Sequence, residues 1–211
     1  MKRLRAEYNK RRKEIRKRLK DFEDIHTKKD EDIFAELCFC ILTPQSKAVN
    51  CDRAIKELKK RNLLLKGSEH DIRDRLKGLV RFHNKKAAYI VAARKALSKK
   101  NRVKVKSHLD KNDIFKTRKW LIKSIKGLGY KEASHFLRNI GLGKNISILD
   151  AHILKNLKKF GVIKEIPASV SGKNYTQVIE ERMRKFAEKI KVPLEELDLL
   201  LWSCETGFVF K

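Results

Sequence analysis

The chain has 211 residues, in which 53 Lys and Arg stand against 26 Asp and Glu, a formal charge of +27 spread along the sequence rather than gathered in one tail. That length can bury a real core and form one domain, or two lobes sharing a cleft, and the charge points to a polyanionic partner. The longest apolar runs, such as Leu37 to Leu42 and Leu197 to Trp202, fall far short of the roughly 20 residues that span a bilayer, and the basic start MKRLRAEYNKRRKEIRKRLK lacks a signal peptide's apolar core. A cytosolic protein away from membranes is expected.

Apolar residues recur at helical spacing and strand-like alternation hardly appears, which predicts an all-α fold. Leu4, Tyr8, Ile15, Leu19 and Phe22 mark one face of a first helix, and Ile33, Leu37, Phe39 and Ile41 mark a second that stops before Pro44. A third is expected from about Ser46 to Arg61. Ser68 with Asp71 has the capping-box pattern of a short helix, and Asn84 can cap another through Lys99. Asp110 can cap the helix that carries Ile114, Phe115, Trp120, Leu121, Ile122 and Ile125. After a turn at Gly127-Leu128-Gly129, Glu132 to Ile140 forms the next, with Lys131 in its opening turn. Asp150 begins a helix to Phe160 that Gly161 ends, and longer helices follow over Tyr175 to Ile190 and Leu194 to Cys204. Internal repeats and clear linkers are lacking, so residues 1–211 are expected to form a single domain.

Residues 114–140 then read as helix, hairpin, helix. Glycines at 127 and 129 let the chain turn with φ > 0 and bring bare backbone amides close to a phosphate, and the following helix start adds its own N–H groups. Such a hairpin, with Gly127, Leu128 and Gly129 as its contacts, grips the DNA backbone without reading sequence. An ordinary glycine turn between two helices is the alternative.

Lys131 is oddly placed, because the positive end of a helix dipole disfavours a cation. Asp150 follows it by nineteen residues, in Ser147-Ile148-Leu149-Asp150-Ala151-His152, and one helix with a return loop can bring the two side chains to one cleft. A solvated lysine and a plain helix cap remain open as alternatives. Cysteines 38, 40, 51 and 204 form no CxxC pair, and the six histidines are scattered, so no metal, iron-sulfur cluster, disulfide framework or other cofactor is expected. The cysteines read as small core residues.

The stretch from Lys123 to Phe160 resembles the signature of the helix-hairpin-helix DNA glycosylase superfamily: a Gly-x-Gly hairpin, a catalytic Lys and a later Asp that starts a helix. Leu42-Thr43-Pro44-Gln45-Ser46 resembles the loop whose Gln enters the duplex, and Arg81-Phe82-His83-Asn84-Lys85-Lys86-Ala87 resembles a helix start common in that superfamily. The length, the missing iron-sulfur motif and the ending Trp202-Ser203-Cys204-Glu205-Thr206-Gly207-Phe208-Val209-Phe210-Lys211 are similar to the compact type-2 8-oxoguanine DNA glycosylase/AP lyases of archaea and some bacteria.

The resemblance implies two helical lobes with the active-site cleft between them, Lys131 as nucleophile and Asp150 as its acidic partner. It further implies that His152 approaches a DNA phosphate, that Gln45 fills the gap left by an extruded nucleotide, and that Trp202 and Lys211 help to form the base pocket. In a partly desolvated cleft a neutral Lys131 amine would attack the sugar, and Asp150 would stabilise the charge that develops there. The implied enzyme is a monomeric DNA repair glycosylase and lyase, acting on double-stranded DNA that contains 8-oxoguanine, cytoplasmic and nucleoid-associated in a prokaryote. A related glycosylase for oxidised pyrimidines and a non-catalytic helix-hairpin-helix DNA-binding protein are the alternatives.

Overall fold

The computed structural model describes residues 2–211. Among them are eleven α-helices: α1 (Lys2–Thr27), α2 (Asp30–Leu42), α3 (Ala48–Lys60), α4 (Leu63–Lys66), α5 (Glu69–Leu76), α6 (His83–Leu97), α7 (Ile114–Ser124), α8 (Tyr130–Asn139), α9 (Ala151–Lys159), α10 (Glu181–Ile190) and α11 (Leu194–Thr206). None of these helices is long and apolar enough to cross a membrane. The chain divides into a central unit, Ile25–Phe136, and a terminal unit made of residues up to Asp24 together with Leu137–Lys211.

The central unit is built on α2. Asp30, Glu31 and Asp32 place negative charge in its first turn, where the helix dipole favours it. Every residue from Ile33 to Leu42 is then buried, as a helix apolar on all sides requires. Helices α3 and α6 pack against it, and α5 packs against α6. The expected capping box is present: Ser68 Oγ accepts from the Asp71 amide at 3.1 Å while the Ser68 amide donates to Asp71 Oδ2 at 2.9 Å.

Three local expectations need correction here. Asn84 does not cap α6, which starts one residue earlier behind Phe82, itself left-handed at φ 56°. The cap of α7 is Asp113, whose carboxylate accepts from Lys116 N at 2.8 Å. Asp110 instead accepts from the amides of Asn112 and Asp113 and shapes the turn before that helix. Helix α6 ends at Leu97, because Ser98–Lys99 pairs antiparallel with Arg102–Val103 in a two-stranded ladder, β1 and β2. Lys100 and Asn101, both at positive φ, make the intervening turn.

In the terminal unit, Leu4, Tyr8, Ile15 and Phe22 of α1 are buried as expected, and Leu19 is half-buried. Tyr8 donates to Glu196 Oε2 at 2.8 Å and Arg16 to Glu196 Oε1 at 3.1 Å, which ties α1 to α11. Helices α9 and α10 also pack on α11. The expected continuous helix from Tyr175 to Ile190 is two elements, a π-helix over Asn174–Glu180 followed by α10. Cys38, Cys40 and Cys51 are core residues, but Cys204 is exposed on α11.

The turn between α7 and α8 demands glycine at one position. Gly127 has φ +90°, and a Cβ there would lie 2.6 Å from the Tyr89 ring. Gly127→Ala should therefore destabilise the fold by about 2 kcal/mol or more through backbone strain plus overpacking. Gly78→Ala is the control, since Gly78 shares a positive φ of 77° but has nothing within 4 Å of the added Cβ. Urea unfolding of the two variants should separate strain alone from strain with a clash.

Candidate functional site

In the central unit the hairpin leads directly into the candidate nucleophile. Lys131 is the second residue of α8, about three-quarters buried, with its Nζ 3.4 Å from Glu132 Oε1. Glu132 Oε2 also accepts from the Gly129 amide at 3.1 Å. One carboxylate thus satisfies an amide at the helix start and faces the lysine charge that the dipole disfavours. The spacing of Gly129 and Glu132 carried this signal, as the reciprocal half of a capping box, and sequence reasoning passed it over.

Two of the hairpin amides, those of Leu128 and Gly129, are engaged within the protein, which corrects the expectation of bare amides at those positions. Leu128 N donates to Ile125 O at 3.3 Å, and the Leu128 side chain is buried rather than presented outward. Gly127 and Gly129 are exposed.

A second loop of the central unit carries Gln45, exposed and left-handed at φ 53°. A non-glycine residue in that region is held there by its surroundings. The holder is Lys86, a buried lysine on α6, whose Nζ donates to Leu42 O at 2.7 Å, Pro44 O at 2.8 Å and Ser46 Oγ at 2.9 Å. Ser46 Oγ in turn accepts from Arg81 N at 3.0 Å. The Gln45 loop and the turn before α6 are therefore fastened together, and that turn carries Phe82, an aromatic ring half exposed to solvent. Phe82 and Lys86 were legible only as parts of a resembling motif.

Burial pushes the Lys86 ammonium down to about 8, with the charges of Lys131 and Arg81 acting in the same direction and Cys51 opposing. Lys131 is thus close enough to the Lys86 head group to be felt electrostatically. Burial also pushes the Cys51 thiol up to about 11, so this neighbour is a neutral thiol at pH 7.

In the terminal unit Asp150 is the N-cap of α9: its backbone is extended and its Oδ1 accepts from Ile153 N at 2.8 Å. Asp198 on α11 lies near enough for charge to matter. Burial pushes the Asp198 carboxyl up, Arg138 at 3.8 Å opposes that shift, and the Asp150 charge adds to it. His152 is exposed on α9, with its ring edge-on to Trp202 at 6.4 Å. Trp202 meets Phe208 edge-on at 5.5 Å, and Phe208 meets Phe210 at 5.9 Å. These rings form a half-open aromatic cluster beside the C-terminus. The tail is docked through Val209, which is buried, while Phe208 remains exposed and Lys211 half-buried. Val209, rather than the two flanking aromatic residues, is thus the buried anchor of the tail.

The chain matches the family model described as 8-oxoguanine DNA glycosylase over residues 15–192. It is 46% identical over 199 residues to the 8-oxoguanine DNA glycosylase/AP lyase of Fusobacterium nucleatum, covering 93% of this chain and 91% of that protein. The corresponding protein of Methanocaldococcus jannaschii is 40% identical over 93% of this chain and 91% of its own length. The crystal structure of the Thermotoga maritima 8-oxoguanine DNA glycosylase superposes with a TM-score of 0.89 at 36% identity, covering 100% of this chain and 97% of that one. The Methanocaldococcus jannaschii 8-oxoguanine glycosylase/lyase, in complex with a 15-mer DNA containing 8-oxoguanine, superposes with a TM-score of 0.88 at 35% identity and 100% coverage of both chains.

Lys86→Met should remove three hydrogen bonds to residues 42–46, leaving Ser46 Oγ only its bond from Arg81 N and Leu42 O only its bond from the Cys51 thiol, and cost about 2 kcal/mol. It should also change the pH dependence. The folded value near 8 lies below the ordinary 10.5, so between those pH values the unfolded chain binds more protons, and this group's contribution to stability rises with pH. Chemical denaturation from pH 7 to 10.5 should show the stability difference between the parent and Lys86→Met moving in the parent's favour as pH rises, the opposing fall from the raised Cys51 thiol being common to both.

Proposed function

The chain belongs to the helix-hairpin-helix family of 8-oxoguanine DNA glycosylases, and from that premise we propose that it excises 8-oxoguanine from double-stranded DNA and then nicks the strand as an AP lyase. The reading rests above all on one observation. Lys131 enters α8 immediately behind the Gly127-Leu128-Gly129 hairpin, and Asp150, nineteen residues on, is the cap of α9.

In this proposal the damaged nucleotide is turned out of the stack. Gln45 fills the gap, and Phe82 on the loop fastened to it offers an apolar face to the opened step. The exposed glycines of the hairpin, Gly127 and Gly129, let a phosphate approach the backbone closely, with Leu128 anchoring the turn from inside, and the exposed His152 holds a second phosphate. Lys131 Nζ forms a bond to C1′ of the sugar as the bond from C1′ to the base breaks, and opening of the sugar ring gives a Schiff base. Loss of a C2′ proton then expels the 3′ phosphate by β-elimination. Asp150 stabilises the positive charge that builds on the sugar while the base departs. Trp202, through its aromatic face, and Lys211 recognise the base, which offers donors at N1, N2 and N7. The enzyme acts as a cytoplasmic, nucleoid-associated monomer.

Incubation with an 8-oxoguanine duplex and borohydride should trap the parent protein covalently. Lys131→Gln should bind the duplex within a few-fold of the parent yet lose both excision and trapping. Asp150→Asn should slow excision by about a hundredfold or more. Trapping of Lys131→Gln at the parent yield would remove Lys131 as nucleophile, and stronger competition by thymine glycol DNA would favour the oxidised-pyrimidine reading.

The tail supplies an independent check. Deleting Lys211, or replacing it with Ala, should lower 8-oxoguanine excision at least tenfold, about 1.4 kcal/mol of transition-state stabilisation. The melting temperature should change little, because Val209, the buried residue of the tail, is retained in both variants. Unchanged excision would free Lys211 from any part in base recognition.

A further inference from the structure

Residues Ser147 to Leu149, which lead into Asp150, belong to no helix or strand. Their backbone is nevertheless held by two side chains. The Tyr175 hydroxyl donates to Ser147 O at 2.7 Å and accepts from Leu149 N at 3.0 Å, so one oxygen bridges both ends of the segment. Glu180 Oε1 accepts from Ser147 N at 2.7 Å. All three residues are buried, with Tyr175 and Ser147 at 0% exposure and Glu180 at 1%.

Both side chains come from the π-helix at Asn174–Glu180. Tyr175 and Glu180 are five residues apart. In an α-helix, at 3.6 residues per turn, they would point about 140° apart, whereas i→i+5 bonding brings residues at that spacing over one another. The π-helix thereby turns both polar groups toward the same segment. A buried carboxylate is costly unless it is well bonded, and here Glu180 Oε1 accepts from the backbone that sets the start of α9. Asp150 continues directly from that segment, with its amide on Ile148 O at 3.2 Å and its carboxylate on Ile153 N.

We propose that Tyr175 and Glu180 are positioning residues for catalysis: through Ser147 and Leu149 they fix the direction from which the Asp150 carboxylate meets the reacting sugar. The proposal rests on the catalytic reading of Asp150, and a double-mutant cycle tests the two separately. Single-turnover excision of 8-oxoguanine is measured for the parent, Tyr175→Phe, Asp150→Asn and the double variant, with duplex affinity and melting temperature measured in parallel.

Tyr175→Phe should slow excision at least tenfold in the parent, leave duplex affinity within twofold, and slow it less than twofold further in the Asp150→Asn background. The same loss in both backgrounds, or no loss in the parent, would overturn the proposal. Excision by Asp150→Asn at the parent rate would instead overturn the role of Asp150 itself. Glu180 gives a second arm should Tyr175→Phe melt below the assay temperature. Glu180→Gln keeps an acceptor oxygen and should retain excision within a few-fold, while Glu180→Leu should reproduce the tenfold loss; equal rates for these two would overturn the clamp. Ser147→Ala keeps the backbone atoms that are clamped and should excise as the parent does, and a tenfold loss there would shift the role to the hydroxyl and overturn the backbone clamp.

Discussion

The first amides of an α-helix have no partner within the helix, and each must find an acceptor elsewhere. Both candidate catalytic residues are placed by that constraint. In α9 the acceptor is Asp150 itself, whose Oδ1 takes the Ile153 amide at 2.8 Å. A carboxylate bound in this way cannot turn freely, so its direction is tied to the axis of α9. In α8 the acceptor is Glu132, which reaches back to Gly129. The same group faces Lys131 at 3.4 Å, so the anion that the helix start requires also neutralises the cation that it disfavours. A lysine at this position is compatible with a stable helix because the next residue is an acid.

Away from these helix starts, the backbone near the candidate site is irregular, and irregular backbone buries polar groups that no ladder satisfies. The two units meet this requirement in the same way. In the central unit Lys86 supplies three donors to residues 42–46, and in the terminal unit Tyr175 and Glu180 bond residues 147 and 149. Each clamp is a buried polar side chain on a helical element that bonds a loop earlier in the chain. Such groups are unfavourable to bury unless fully bonded, so each loop is held in one conformation or the clamp fails altogether. This all-or-none character allows Gln45 to stay at φ 53°, a conformation that a free loop would seldom populate.

Periodicity made the helices legible because their apolar faces are continuous: Leu4, Tyr8, Ile15 and Phe22 are buried where their spacing places them. Local capping chemistry was legible at Ser68 and Asp150 for the same reason, since each acts within four residues of itself. The errors arose where several acceptors competed nearby. Asp113 outcompetes Asp110 for the start of α7 because it lies directly before the first helical residue. Phe82 enters α6 in a left-handed conformation that capping rules do not foresee for an aromatic residue. The clamps were out of reach because their partners lie 26 to 44 residues apart in sequence, and the hydrophobic pattern of Tyr175 to Ile190 does not register a shift from α to π winding. Of the candidate site, the hairpin, Lys131 and Asp150 were readable from local pattern and resemblance. Glu132, Lys86, Tyr175 and Glu180 required the fold.

Charge sets the remaining balance. With 53 basic residues against 26 acidic ones, pairing within the protein cannot neutralise the surface. Several of the acids are already committed, Glu196 to Arg16, Glu205 to Lys155 and Asp198 to Arg138. The excess cations repel one another in the folded state and destabilise it. A bound polyanion relieves that repulsion, and whatever binds the folded chain in preference to the unfolded one stabilises it by mass action. Stability and DNA affinity are therefore linked through one set of surface charges, and both are sensitive to salt. The buried clamps stand apart from this balance. Salt screens Lys86, Tyr175 and Glu180 far less than it screens the surface, so the local geometry around Gln45 and Asp150 is insulated from the ionic conditions that govern how tightly the protein holds its duplex.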